Sequence, residues 1–256
     1  MSETGVPAVA APATAGLTQW QRLAYTFTAP SKTFEDIRRG NRSWWLPFLI
    51  TLVCGTLLWV VVGQVVTWRG VFENNQRNMP EFAKHMMENM TPEQKAKQEQ
   101  AGPKGQEITW AIAPLGLLLM NVCAAAVLLA TINFGFGGKA KFGELFAVTQ
   151  YAGLVLWPIK FLLGAIALCA GALPDAFDPK NPAGTNLGYY LSQQDTPFTL
   201  YTLATNIDVL SIWCMVVTAI GVAVVAGTKR GAGYVAVFGW WAILMVLSLG
   251  MAAIFG

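Results

Sequence analysis

The sequence predicts an all-α membrane protein: a bundle of five transmembrane helices, with an interfacial segment before the first and a partly helical loop after it. Two observations about composition and pattern carry this. Of 256 residues, 54% are hydrophobic and only 12% are charged, whereas a soluble domain has about 25% charged residues. Five stretches of about 20 residues run almost without Asp, Glu, Lys or Arg, long enough at about 1.5 Å rise per residue to cross hydrocarbon. The stretches are continuous and lack in/out alternation, which selects helices over a β-barrel.

Residues 1–16 are rich in Ala, Pro and Thr, with Glu3. They lack the basic start and long apolar core of a signal peptide and are expected to form a disordered cytoplasmic tail. Residues 17–256 form the membrane domain, with the first span as its own insertion signal. Before that span, Trp20, Leu23 and Phe27 recur at helical spacing beside Gln21 and Arg22. Such a stripe suits the inner leaflet surface or packing on the bundle.

The spans are expected at about 46–67, 108–134, 145–172, 205–226 and 234–255. Trp44, Trp45 and Trp68 bracket the first and Trp110 opens the second, as amphipathic rings favour the headgroup level. The third contains Lys160 and Pro158, so it is expected to kink or tilt. On the fourth, Ala219, Ala223 and Gly227 fall at four-residue spacing, which permits close helix approach.

Orientation follows from lysine and arginine near the membrane. Arg22, Lys32, Arg38, Arg39 and Arg42 precede span one, Lys139 and Lys141 join spans two and three, and Lys229 and Arg230 join four and five. The loop 69–107 balances six basic against six acidic residues, and the loop 173–204 has Lys180 beside Asp175, Asp178 and Asp195. The bias puts the N-terminus in the cytoplasm and the C-terminus outside.

In loop 69–107, Phe82, Met86 and Met90 repeat every fourth residue, with Met87 adjacent, among Glu81, Lys84 and Glu88. The stripe predicts a helix packed on the protein's own outer surface, with a partner surface as the alternative. Thr91-Pro92-Glu93-Gln94 has the pattern of a capped helix start, so one or two extramembrane helices are expected. His85, the sole histidine, shares a helix face with Glu81 and Glu88. Without a second histidine or a cysteine, that set reads as a charge-paired surface rather than a metal site.

Chemistry-bearing patterns are sparse. Cys54, Cys123, Cys169 and Cys214 are scattered singly inside apolar runs, supporting neither a disulfide framework nor a zinc site. No phosphate-loop, nucleophile-elbow or zinc-protease motif occurs, and 135–138 is a glycine-rich reversal between spans. A net charge of +3 is too small and dispersed for nucleic acid. The expectation is therefore no enzyme activity and no cofactor.

Ionisable residues inside a span mark function by default. Two qualify here: Lys160 near the middle of span three and Asp208 about one turn into span four. They could pair across the bundle, although their expected depths differ by about 10 Å and a lysine stem covers only part of that. Otherwise Lys160 reaches interfacial water beside Pro158, and Asp208 caps span four at its positive end. Asn121 and Gln150 are the other polar residues at depth.

Three segments, in order, resemble the Yip-domain family of Ypt-interacting proteins, particularly its bacterial branch. They are Pro30-Ser31-Lys32-Thr33-Phe34-Glu35-Asp36-Ile37, the run 143–152 followed by Trp157-Pro158, and Asp208-Val209-Leu210-Ser211-Ile212-Trp213 with Gly221 and Lys229-Arg230. The resemblance implies five spans and a cytoplasmic N-terminus. It marks Pro30, Phe34, Pro158, Asp208 and Trp213 as family-like positions. Eukaryotic members serve vesicle trafficking, bind prenylated small GTPases and influence curvature; bacterial members suggest membrane organisation or partner binding.

The first functional expectation is thus a non-enzymatic protein that organises or shapes the bilayer. Its partners are the lipid itself and, within it, other membrane proteins or further copies of the chain. A small transporter or channel subunit using Lys160 and Asp208 is the alternative, and an accessory subunit of a larger envelope complex is a third.

Overall fold

The computed structural model describes residues 16–172, 177–178, 181, 183–193 and 195–255. The expected tail 1–16 lies outside them except for Gly16, as do Asp175 and Lys180 of the second outer loop. The architecture is all-helical. Among the described residues the only β pairing is an isolated antiparallel bridge between Asn186 and Asp208.

Among the described residues, five helices are long and apolar enough to cross a membrane: Trp45–Val65, Pro92–Gly135, Phe142–Cys169, Val209–Ala226 and Arg230–Ile254. Their outward side chains are apolar, with Val53, Leu119, Val235, Val246 and Leu247 more than half exposed. A water-soluble monomer rarely presents such a continuous apolar surface, so these side chains face lipid.

Before the spans lies a helical hairpin. Helix α1 (Gln19–Thr28) starts in a capping box in which Thr18 and Gln21 satisfy each other's backbone N–H groups. Helix α2 (Pro30–Arg38) opens on Pro30, whose missing N–H is no loss in a first turn. It buries Phe34 and Ile37 completely.

The first span, α3 (Trp45–Val65), is followed by α4 (Trp68–Arg77) and α5 (Glu81–Glu88). The second, α6 (Pro92–Ala130), continues through a π-helical turn at Thr131–Gly135. The capped start at Thr91 and the span expected at 108–134 are therefore one helix, about 65 Å long at 1.5 Å per residue. Gly102, Pro103 and Gly105 lie between the two parts without ending the helix. Pro103 and Pro114 are accommodated within the helix, and α4 docks on its outer part where Gly102 leaves room for the ring of Phe72.

Helix α5 has no fully buried residue. Phe82 and Met86 are half exposed, at 50% and 56%, and Met87 and Met90 are partly buried, so the methionine stripe is partly covered. His85 bonds to Glu88 at 3.2 Å while Glu81 bonds to Lys84 at 2.7 Å. That neighbouring ammonium holds the Glu81 carboxyl below its usual range.

The third span divides into α7 (Phe142–Gly153) and α8 (Trp157–Cys169), with Pro158 in the first turn of the second half. This is the kink that the proline predicted. All residues from Glu144 to Gly153 are buried, so α7 is the central pillar and α8 packs on α3.

After a 3-10 turn at Leu187–Tyr190 and a short helix α9 (Phe198–Asn206), span four is α10 (Val209–Ala226). It begins at 209 rather than 205 because the Asp208 carboxylate accepts the Ser211 N–H and caps the helix there. It ends at Gly227, whose φ of +68° is the left-handed cap that glycine adopts freely. Helix α11 (Arg230–Phe255) completes the bundle and starts four residues earlier than 234.

The small-residue pattern splits between two roles. Ala219 and Ala223 face Gly233 of α11, and a Cβ at Gly233 would lie 2.2 Å from the Ala219 carbonyl oxygen. Gly227 ends the helix instead. Gly233→Val should therefore force α10 and α11 apart and destabilise the protein by about 1–3 kcal/mol, read as a lower unfolding temperature in detergent; an unchanged temperature would refute this contact.

Candidate functional site

Among the described residues two ion pairs are largely buried on both sides, and the sequence pointed to only one of them. Lys160 Nζ lies 2.8 Å from Asp208 Oδ2, with the lysine side chain 15% and the aspartate 2% exposed. The pairing and the capping role occur together. The separation of about 10 Å in depth does not arise, because the break before Trp157 puts Lys160 in the first turn of α8, and the cap puts Asp208 immediately before α10. Both residues stand at helix beginnings.

Asp208 is fully engaged. Its Oδ1 accepts the Ser211 N–H at 2.8 Å, and its Oδ2 also accepts the Thr185 hydroxyl at 2.7 Å. Val209 N–H donates to the Thr185 carbonyl and Leu187 N–H to that of Ile207, which ties the outer loop to the start of α10.

Next to it, Asn186 donates to Asn181 at 2.6 Å, Asn181 donates to the Tyr201 hydroxyl at 2.7 Å, and that hydroxyl donates to Asp178 at 3.2 Å. Burial, then the Asp178 carboxylate, pushes the Tyr201 phenol up to about 12. The Asn181/Asn186 pair was the available sequence signal, but polar loop residues do not announce which partners they will meet.

The second ion pair lies in the hairpin. Arg22, counted above as a membrane-flanking charge, is 1% exposed, and its Nε lies 3.2 Å from Oδ2 of Asp36, itself 3% exposed. The contact is ionic, off the line of a hydrogen bond. The guanidinium also donates to the carbonyls of Asn41 and Ser43, at 3.2 and 3.5 Å, and lies over the Tyr151 ring. Leu17 N–H donates to Asp36 Oδ1, and the Thr26 and Thr33 hydroxyls both donate to the Arg22 carbonyl. Tyr151 on α7 donates to Gln19, which donates to Ser43. The clamp therefore fastens α1 to α2, to the start of span one and to the central helix.

This clamp orients the interfacial stripe. Trp20 is 72% and Phe27 40% exposed, while Leu23 is half-buried against the core. The hairpin thus rests on the bundle through Leu23 and projects Trp20 and Phe27 outward.

The family-like positions serve distinct ends. Pro30 starts α2, Phe34 packs against Gly221 and Val148, Pro158 starts α8, Asp208 caps α10, and Trp213 is half exposed on the lipid side. Of the polar residues at depth, Asn121 lines a cavity of about 490 Å³ between α6, α7, α10 and α11, beside Thr149, Thr218 and Trp240. Neither Lys160 nor Asp208 lines it. Gln150 is buried, and its Nε2 has no hydrogen-bond partner among the described residues.

The five apolar helices with their lipid-facing apolar surfaces, held by the buried pairs Lys160–Asp208 and Arg22–Asp36, define a polytopic α-helical membrane protein. Residues 24–251 match the Yip1 domain, and the chain belongs to that family. Searches of curated proteins and of solved structures return no match.

Proposed function

We propose that the protein is a non-enzymatic organiser of the bacterial inner membrane that acts through its N-terminal hairpin at the cytoplasmic surface. One observation carries this: Trp20 and Phe27 project from a helix whose opposite face is clamped by Arg22 and Asp36. An apolar pair presented on a rigid support can wedge between headgroups without first ordering the chain. The orientation is supported by the neighbourhood of the three basic segments. Arg38 lies against Gly227, and Lys139 N–H donates to the Ala226 carbonyl, so all three gather at one end of the bundle, as the positive-inside bias requires.

Trp20→Ser combined with Phe27→Ser should abolish most remodelling of liposomes by the purified protein while leaving its unfolding temperature unchanged. Undiminished remodelling would remove the hairpin from the mechanism. Leu23→Ser would also lower stability, since Leu23 supports the hairpin.

The contact between Lys160 and Asp208 favours a second proposal, a small transporter or channel subunit using that pair. Against it stand the engagement of Asp208 by Thr185 and Ser211 and its place, with Lys160, outside the cavity that Asn121 lines. A flux assay separates the two: transport lost in Lys160→Met/Asp208→Asn supports the second proposal, and transport unaffected by that double change dismisses it.

A further inference from the structure

We propose that a pocket at the hairpin end of the bundle binds a phosphate group, carried by an anionic lipid headgroup or by a soluble phosphate. The pocket, about 390 Å³, lies between the end of α2, the connection from α6 to α7 and the end of α10. That volume falls within the range of small-ligand sites, about 300–1,000 Å³.

Its lining brings together Arg38, Lys139 and Lys141 with one carboxylate, Glu144. Glu144 is already matched: it accepts from Arg42 and from the Lys141 backbone N–H, each at 3.0 Å. Among the described residues, none of the other three cationic side chains has an acidic or hydrogen-bonding partner. The geometry holds them together. Lys139 N–H donates to the Ala226 carbonyl, and a side chain at Gly227 would meet the Arg38 guanidinium at 2.9 Å. The glycine that ends α10 therefore also makes room for Arg38 over the turn.

The bland account is that these cations neutralise the negative end of α10. That end carries about half an elementary charge, against three from the side chains. The excess of positive charge calls for a multiply acceptor-bearing anion, and a phosphate fits: arginine offers a planar donor fork and lysines offer point charges. The pocket lies beside the basic loops that the positive-inside bias assigns to the anionic leaflet, where basic pockets between helices take lipid headgroups. Liposome remodelling by Trp20 and Phe27 does not depend on this site.

The test uses the full chain in detergent, stripped of native lipid and titrated separately with short-chain phosphatidylglycerol, the matching phosphatidylcholine and inorganic phosphate, with binding read by native mass spectrometry. The pocket variant is Arg38→Gln/Lys139→Gln/Lys141→Gln. The control, Arg39→Gln/Lys229→Gln/Arg230→Gln, removes equal charge from the same end outside the pocket lining. At about fivefold per removed charge, the pocket variant should bind phosphatidylglycerol on the order of a hundredfold more weakly, and the control should lose far less. Unfolding temperatures of both variants confirm that they are folded. If inorganic phosphate competes fully with the lipid, the site takes the free ion as well; if it does not, the lipid headgroup is the ligand. Equal weakening in the two variants, or no binding of either anion by the unaltered protein, would overturn the proposal.

Discussion

Lys160→Met is expected to destabilise the protein by about 3–5 kcal/mol, because it leaves a carboxylate buried without its cation. In the intact chain the Asp208 side chain is 2% exposed and its Oδ2 is shared between Lys160 and Thr185. With the ammonium gone, only neutral donors remain. Asp208→Asn is expected to do similar harm from the other side, stranding the Lys160 charge, although asparagine still caps a helix well.

The double change should be far milder than either single one, since neutral groups replace both charges. That non-additivity distinguishes a true pair from two independent losses, and it is measurable by unfolding each variant in mixed micelles. Total stabilities are about 5–15 kcal/mol, so each single change is large enough to see. Additive losses in the double variant would mean that the two charges act separately.

The second large effect is expected at Arg22. Arg22→Leu removes the ionic partner of Asp36 and the donors to the Asn41 and Ser43 carbonyls. With Asp36 only 3% exposed, the loss again amounts to about 3–5 kcal/mol. Its consequence should be local. The hairpin meets the spans through Phe34, Ile37 and Leu23 against α7 and α10, so it should detach while the spans remain folded. Limited proteolysis should then cut within α1 and α2 at protease levels that leave the unaltered protein whole. Equal resistance of the two proteins would show that the clamp is dispensable.

Most of the fold was legible in the sequence because it rests on one property, apolar length. The five spans, the kink at Pro158 and the capped start at Thr91 follow from local rules about hydrocarbon thickness, proline and capping. The failures share a physical cause: tertiary contacts reassign residues whose local signals are ambiguous. Arg22 had every mark of a solvated flanking charge, yet a partner fourteen residues later on a second helix takes it into the core. The split of span three could be expected from Pro158, but not its effect of bringing Lys160 level with Asp208. The basic pocket was invisible for the same reason. Arg38, Lys139 and Gly227 come from three connections that only the assembled bundle brings together.

The proposed action of the hairpin requires that the chain cross the bilayer an odd number of times with the hairpin on the cytoplasmic side. Fusing one reporter that works only inside the cell and one that works only outside it to each chain end tests this directly. The inside reporter should be active at the N-terminus alone and the outside reporter at the C-terminus alone. Activity of the same reporter at both ends would contradict the five-span arrangement and the cytoplasmic placement of the hairpin built on it.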